Sequence, residues 1–315
     1  MIRRLCVLGL AAACGAGSSF TREPLLVEGS FQPGRGPDGN SVFLDAPRGL
    51  ILVDTGRHPA HQERLLEHAR RAGKPIVAIV NTHWHLDHTG GNAEILAAYP
   101  KAEIVATTAV EGALVDFFPK SRRGAEAYLK SGQASPEQHA EIERDFAAVD
   151  APQTLRPTRP IEASGPVEVA GRTLDVHVAK HAATAADLWL VEAATRTVIA
   201  GDLVVAPVPF LDTACASGWQ RALGEIAATS FDRLIPGHGA PMSRADFDAW
   251  RAAFDGLVAC AASPADPTTC IDGWRASAAT FIPASDEARI GEMVKYYVEV
   301  RLRDAEAQRQ ACEAR

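Results

Sequence analysis

The feature that most constrains this chain is the run Val80-Asn81-Thr82-His83-Trp84-His85-Leu86-Asp87-His88-Thr89-Gly90-Gly91-Asn92. It gathers four metal-capable side chains, His83, His85, Asp87 and His88, within six positions of a sequence that has ten histidines in all. Packed cores exclude ionisable groups that are not paired, so such a cluster has no ordinary packing role. The residues before it, Ile76 to Val80, are apolar, mostly β-branched and preceded by Pro75, which predicts a short buried strand. Extended backbone just past that strand would point the imidazoles of His83 and His85 to one side. Asp87 and His88 follow where the chain turns into a helix predicted over Gly91 to Ala98. One loop can therefore offer two ligand sets to two neighbouring cations.

A fold that holds this loop at a strand end needs strands on either side, and the pattern supplies them. Ser41 to Leu44 and Gly49 to Val53 read as an antiparallel pair ending at Asp54-Thr55-Gly56, and Pro59 to Ala72 as an amphipathic helix with Leu65 and Leu66 inward. A strand over Ala102 to Thr107 is followed by a polar helical stretch, residues 110–150, broken at Gly132 and Pro136 and expected to be an insertion over one edge. Strands are predicted at Val167 to Val169, Thr173 to Val178, Leu188 to Val191, Thr197 to Ala200 and Arg233 to Ile235, with a helix over Trp219 to Thr229. Residues 243–315 are expected to be largely helical, over Ser243 to Ala259 and Ser285 to Arg309. No repeat of solenoid period and no linker is visible, which predicts a single α/β domain over residues 20–315.

Composition limits the partners. At 315 residues and 47% hydrophobic the chain can bury a large core, and its net charge of −7 argues against a nucleic-acid backbone. A small anionic substrate is not excluded, because a cation cluster supplies local positive charge. No stretch approaches the roughly 20 apolar residues that span a bilayer. Residues 1–19 read as an export signal: Arg3 and Arg4, the apolar run Leu5 to Ala13, then Ala11-Ala12-Ala13-Cys14-Gly15 as a cleavage zone. Ordinary cleavage and lipid attachment at Cys14 both stay open. The expectation is a protein of the bacterial periplasm or cell envelope, with membrane contact only through such an anchor. Cys215, Cys260, Cys270 and Cys312 remain, and they allow three pairings; the short loop between Cys260 and Cys270 makes a local disulfide the natural expectation. None has zinc-finger spacing.

Further ligands should sit at other strand ends. His181 follows Thr173 to Val178, Asp202 follows Thr197 to Ala200 in Ala-Gly-Asp-Leu, and His238 follows Arg233 to Ile235 in Ile-Pro-Gly-His-Gly-Ala-Pro. Singly, each is an ordinary turn residue. As an ordered set, Asp54-Thr55-Gly56, His83-Trp84-His85-Leu86-Asp87-His88, His181, Gly201-Asp202 and Gly237-His238-Gly239 resemble the metallo-β-lactamase superfamily, over residues 40–241. The resemblance implies a four-layer αβ/βα sandwich with its site at one edge between the sheets. It implies two zinc ions, the first on His83, His85 and His181, the second on Asp87, His88 and His238, with Asp202 bridging. Asp54 would orient a ligand imidazole. One departure stands out. Many relatives carry His-Thr-x-Gly-Asp after the third ligand strand, whereas this chain reads His181-Ala182-Ala183-Thr184-Ala185-Ala186-Asp187, which puts His181 two residues further from its Asp in a longer loop. His177 is the rival, but strand alternation buries it or turns it to solvent, so His181 is the expected ligand.

The activity implied is hydrolysis, with a metal-bridged hydroxide attacking the carbonyl of a small ester, lactone, thioester or lactam and Asp87 shuttling a proton to the leaving group. Imidazole-rich donors with carboxylates suit zinc, and iron or manganese accepts them too. Asp202 at the bridging position is the glyoxalase II-like and lactonase-like choice rather than that of the antibiotic-hydrolysing classes. Two alternatives share the fold: an iron-dependent oxidoreductase acting on sulfur compounds, and a non-catalytic accessory protein. Pocket walls are expected from Val205 to Thr213 and from Phe117 and Phe118, with Trp84 packed under the loop.

Overall fold

Leu25–Val27 (β1) pairs antiparallel with Ser41–Ala46 (β2), which doubles back through Pro47-Arg48 into Gly49–Val53 (β3). The computed structural model that places these elements describes residues 23–31 and 36–314, so the expected export signal and Cys14 lie outside the described residues. Ile76–Val80 (β4) pairs parallel to β3, which requires a crossover, and Pro59–Ala72 (α1) provides it. Its ends are set by sequence: Pro59 stands in the first turn, Arg70 and Arg71 in the last, and Gly73 closes it at φ 63°. Two short helices, Leu86–Thr89 (α2) and Asn92–Ala98 (α3), lead from the histidine-rich loop to Glu103–Ala106 (β5).

The stretch expected to form an insertion is helical: Val110–Val115 (α4), Phe117–Lys130 (α5) and Pro136–Asp150 (α6). Ser135 and Gln138 form a capping box at the start of α6, with Pro136 behind the cap, which is why the chain re-enters a helix where Gly132 and Pro136 signalled a break. Arg159–Pro160 (β6) then completes a six-stranded sheet in the order β1-β2-β3-β4-β5-β6.

The second sheet is built from Gly165–Val169 (β7), Arg172–Lys180 (β8), Ala186–Glu192 (β9), Thr197–Val205 (β10), Arg233–His238 (β11) and Met242–Ser243 (β12), in the order β12-β11-β10-β9-β8-β7. Ala216–Ala228 (α7) is the crossover between the parallel strands β10 and β11. Beyond β12 come Arg244–Ala262 (α8), Pro267–Ser277 (α9), Glu287–Tyr296 (α10) and Ala305–Glu313 (α11).

The two sheets face each other through Val42, Leu44, Ile51 and Val53 on one side and Leu174, Val176, Leu188, Leu190 and Ile199 on the other. Leu65, Ala69 and Ile95 of α1 and α3 cover the outer face of the first sheet against Leu52, Ile79 and Ile104. Trp219, Leu223, Trp250 and Phe254 of α7 and α8 cover the second. Each such side chain contributes roughly 1.5–3 kcal/mol by leaving water. Helix, sheet, sheet and helix are stacked in that order, the four-layer arrangement the sequence implied. Because β3, β4, β10 and β11 are packed in the middle of these layers, their ends are the firmest places to hang a site.

Two differences from the sequence reading have local causes. The segment read as a loop between Cys260 and Cys270 begins α9, because Asp266 caps it and Pro267 opens it. The single helix expected over Ser285 to Arg309 is divided: α10 passes into a π-helical turn over Tyr297–Leu302, and Asp304 caps a fresh start. Cys260 is bonded to Cys270 as expected, and Cys215 to Cys312. Beside the second bridge, Gln308 of α11 donates to Ala214 O at 3.1 Å and accepts from Ala216 N at 3.0 Å, fastening the C-terminus to the segment before α7. Among the described residues no helix is long and apolar enough to cross a membrane.

Candidate metal centre

Asp54 ends β3 at φ 57°, a left-handed conformation that a non-glycine residue adopts at a cost of about 1–3 kcal/mol. Three hydrogen bonds offset it. The buried carboxylate accepts from Thr82 N at 2.8 Å and Thr82 Oγ1 at 2.7 Å, and from His88 Nδ1 at 2.8 Å. The loop after β4 is thereby tied to the end of β3 at two places, one on each side of His83 and His85.

The same bonds decide which nitrogen each imidazole leaves free. His88 donates through Nδ1, so Nε2 carries the lone pair. Thr82 Oγ1 spends its proton on Asp54 and so accepts from His83 Nδ1 at 3.1 Å, freeing His83 Nε2. Thr213 Oγ1 donates to Ala183 O at 2.8 Å and accepts from His85 Nε2 at 3.1 Å, freeing His85 Nδ1. The two freed atoms, His83 Nε2 and His85 Nδ1, lie 2.9 Å apart. Two lone pairs that close repel unless a cation or proton sits between them, so this geometry fits a metal ion.

The second sheet brings the remaining groups. Asp202 lies within β10 just after Gly201, where the pairing with β11 shifts register. Gly237 on β11 is needed at this point, because any Cβ there would collide with Asp202 Oδ1. His88 Nε2 is 3.1 Å from Asp202 Oδ1, 3.7 Å from Asp87 Oδ2 and 3.2 Å from His238 Nε2. His238 Nε2 is in turn 3.1 Å from Asp87 Oδ2 and 3.5 Å from Asp202 Oδ1. A tetrahedral site with ligands ~2.1 Å from zinc has donors separated by about 3.4 Å, and these five separations bracket that value. Asp202 Oδ1 is buried with no hydrogen-bond partner among the described residues, as an atom reserved for an ion would be. Asp202 Oδ2 faces the other histidines, 3.6 Å from His83 Nε2.

Electrostatics separates the two ends of this cluster. Burial pushes the His83 imidazole well below its ordinary range and His85 down to about 4, so both are neutral. Burial disfavours charge on His88 as well, but Asp202, Asp54 and Asp87 more than offset it and hold His88 well above the usual range. Burial is likewise overcome at His238 by Asp202 and Asp87. The carboxylates of Asp87 and Asp202, which burial alone would raise, are held low chiefly by His88. The Asp87–His88–Asp202–His238 end therefore favours a cation more strongly than the His83–His85 end does.

His181 is the one expected donor that the structure does not bring in. It sits in a tight turn at φ 51°, where its N–H bonds Ala185 O at 2.9 Å and its carbonyl packs against Gly218 at the start of α7. Its Nδ1 has no hydrogen-bond partner among the described residues, and it belongs to neither group of mutually close donors, His83–His88–Asp202 and Asp87–His88–His238. His177 lies flat on Trp189, ring centroids 3.9 Å apart, with Nε2 3.3 Å from Asp175 Oδ1.

The cluster opens onto a cavity of about 560 Å3 with His85, Asp87, Asp202 and His238 at its floor. Its walls are apolar: Phe117, Phe118 and Phe146 from the insertion, Val208 and Phe210 from the segment after β10, and Phe31. Trp84 packs on Phe117 and Phe118, centroids 4.8 and 5.4 Å away, and also lines the cavity. Sequence reasoning missed the polar rim. Asp38 accepts from Arg57 N and His58 N, each at 2.8 Å, and lies 3.0 Å from His58 Nδ1; Glu141 of α6 lies 3.1 Å from His58 Nε2. This network moors the insertion beside the site, and nothing in the local sequence signals it. Thr82 was findable, as a hydroxyl directly before the first histidine.

The sequence profile of the metallo-beta-lactamase superfamily matches residues 34–251, more than half of the chain. The chain belongs to that superfamily. Among curated members it is 26% identical over 223 residues to a linear primary-alkylsulfatase of Pseudomonas sp., covering 64% of this chain and 41% of that protein. It is 44% identical over 71 residues to a hydroxyacylglutathione hydrolase of Gloeobacter violaceus, covering 22% of this chain and 27% of the relative. The chain thus spans less than half the length of these two superfamily relatives. A metallo-beta-lactamase family protein from Thermus thermophilus superposes with a TM-score of 0.55 at 17% identity, covering 88% of this chain and 93% of that one. Its likeness is one of superfamily fold.

Proposed function

We propose that this chain is a metal-dependent hydrolase that cleaves the ester, thioester, lactone or lactam bond of a small substrate with a bulky apolar part. The observation that carries this reading is a buried imidazole–carboxylate cluster set in the floor of an apolar cavity of about 560 Å3. Asp87, His88, Asp202 and His238 would hold the metal, with His83 and His85 beside it, and nitrogen and oxygen donors of this kind suit zinc. A bound ion of this kind polarises a carbonyl and lowers the pKa of water from ~15.7 to near 7. The chain's residues supply the rest. Asp54 and Thr82 hold the imidazoles in the tautomers that can bind an ion. Asp87 reaches the cavity floor, where its carboxylate can carry a proton to the leaving group. Trp84, Phe117 and Phe210 take up the apolar part of the substrate and keep bulk water off the reacting bond.

The name of the hydroxyacylglutathione hydrolase supports a thioester or ester, and the name of the alkylsulfatase supports an apolar chain beside the scissile group. Two disulfides support an oxidising compartment, which agrees with a periplasmic protein. The test is a panel of p-nitrophenyl esters of rising acyl length, acyl thioesters, aromatic lactones, a chromogenic β-lactam and decyl sulfate, each with zinc-loaded and chelator-treated protein. Chelator-sensitive turnover that improves with apolar length is expected. No chelator-sensitive turnover of any of them would overturn the reading, and turnover of decyl sulfate alone would move it to sulfate esters.

A further inference from the structure

The two ends of the centre are unequal, and we propose that the chain holds a single metal ion tightly, at Asp87, His88, Asp202 and His238, because Ala183 stands where the His83–His85 end would need its third imidazole. The proposal rests on the metal-dependent reading above.

In the pattern His-Thr-x-Gly-Asp the threonine precedes the aspartate by three positions. Thr184 and Asp187 have that spacing, and the structure locks them together: Thr184 N donates to Asp187 Oδ2 and Thr184 Oγ1 to Asp187 Oδ1, both at 3.0 Å. The turn is therefore not longer than in relatives, and the position before the threonine is Ala183. That residue is 1% exposed, and its carbonyl takes the proton of Thr213 Oγ1, the group that accepts from His85 Nε2. A methyl group offers no donor. His181 comes before the turn, and its carbonyl packs against Gly218 of α7.

Counting donor atoms gives the consequence. One end has Asp87, His88 and His238 as mutually close donors, with Asp202 Oδ1 3.1 Å from His88 Nε2 and 3.5 Å from His238 Nε2. The other has His83 Nε2, His85 Nδ1 and only the second oxygen of the same Asp202. Loss of an outer hydrogen-bond partner already lowers metal affinity about 10–100-fold, and loss of a direct ligand lowers it at least as much. A second ion should thus bind at least about 10–100-fold more weakly than the first and be lost on gel filtration.

Zinc-depleted protein is saturated with zinc, passed through a desalting column and assayed for metal per chain, with circular dichroism recorded for every variant. One retained equivalent is expected. Two would overturn the proposal and leave the metal-dependent reading standing; none would overturn both. His85→Gln should keep its equivalent and His238→Gln should lose it, and the opposite result would place the ion at the wrong end. Ala183→His should raise the retained metal to two equivalents, and a folded variant that still holds one would remove Ala183 as the cause. If this tightly packed position does not accept the larger side chain, the His85→Gln and His238→Gln pair decides the location of the ion without it.

Discussion

Asp54 Oδ2 lies 2.8 Å from His88 Nδ1, so a residue at the end of one strand fixes the direction in which an imidazole on the next loop aims its other nitrogen. Asp54 also holds Thr82, which in turn fixes His83. Asp54→Asn keeps the size and replaces one accepting oxygen with a donor. Zinc affinity is expected to fall about 10–100-fold, read by competition with a chromogenic chelator. Unchanged affinity would show that the carboxylate is dispensable for aiming the ring.

His58 joins Asp38 to Glu141 of α6. Burial lowers its pKa, but the two carboxylates more than offset this and hold it above the ordinary 6.5. A raised folded-state pKa means stabilisation that is complete below 6.5 and fades as pH climbs through the raised value. His58→Gln should therefore cost about 3 kcal/mol in mildly acidic buffer and clearly less in alkaline buffer, measured by urea unfolding at both. A loss independent of pH would mean that the ring acts by packing alone.

Phe210 lines the cavity and stands edge-on to His85, centroids 5.2 Å apart. Phe210→Ala should raise KM for a long-chain or aromatic acyl ester by roughly tenfold, worth ~1.4 kcal/mol, with little change in KM for the acetyl ester. Equal effects on both substrates would move the apolar subsite elsewhere.

Cys215 and Cys312 are 97 residues apart in sequence, Cys260 and Cys270 only 10. By the chain-entropy argument the long closure contributes about 4–5 kcal/mol and the short one ~3. Cys312→Ser should lower the thermal midpoint more than Cys270→Ser. A reversed order, seen by calorimetry, would mean that α9 depends on its bridge more than the chain end does.

Much of the centre was legible because its chemistry is local. His83, His85, Asp87 and His88 are separated by one or two residues, and a buried strand before them fixes where they emerge. Asp202 and His238 were legible for a related reason, each standing with glycine near the end of an apolar run. His181 follows β8 as the sequence suggested, but only the folded chain shows that it enters a tight turn, with its carbonyl against Gly218 and Thr184 bonded to Asp187. Asp38, His58 and Glu141 were illegible, since 83 residues separate His58 from its partner and only the packing of the insertion brings them together. The start of α9 was readable and overlooked: Asp266-Pro267 is a helix-opening pair, and the flanking cysteines drew attention to a loop.

The clasp of α11 on the segment before α7 gives the protein an order of completion. Every proposed metal donor lies at or before His238, whereas Gln308 and Cys312 are added 70 and 74 residues later in the chain. Thr213 supports His85 from the segment that those late residues fasten. The ion-binding floor can thus form while one side of the mouth is still loose, and oxidation of Cys215 with Cys312 is the step that finishes the entrance. Removing α11 or reducing the Cys215–Cys312 bond should then be felt by the substrate before it is felt by the metal.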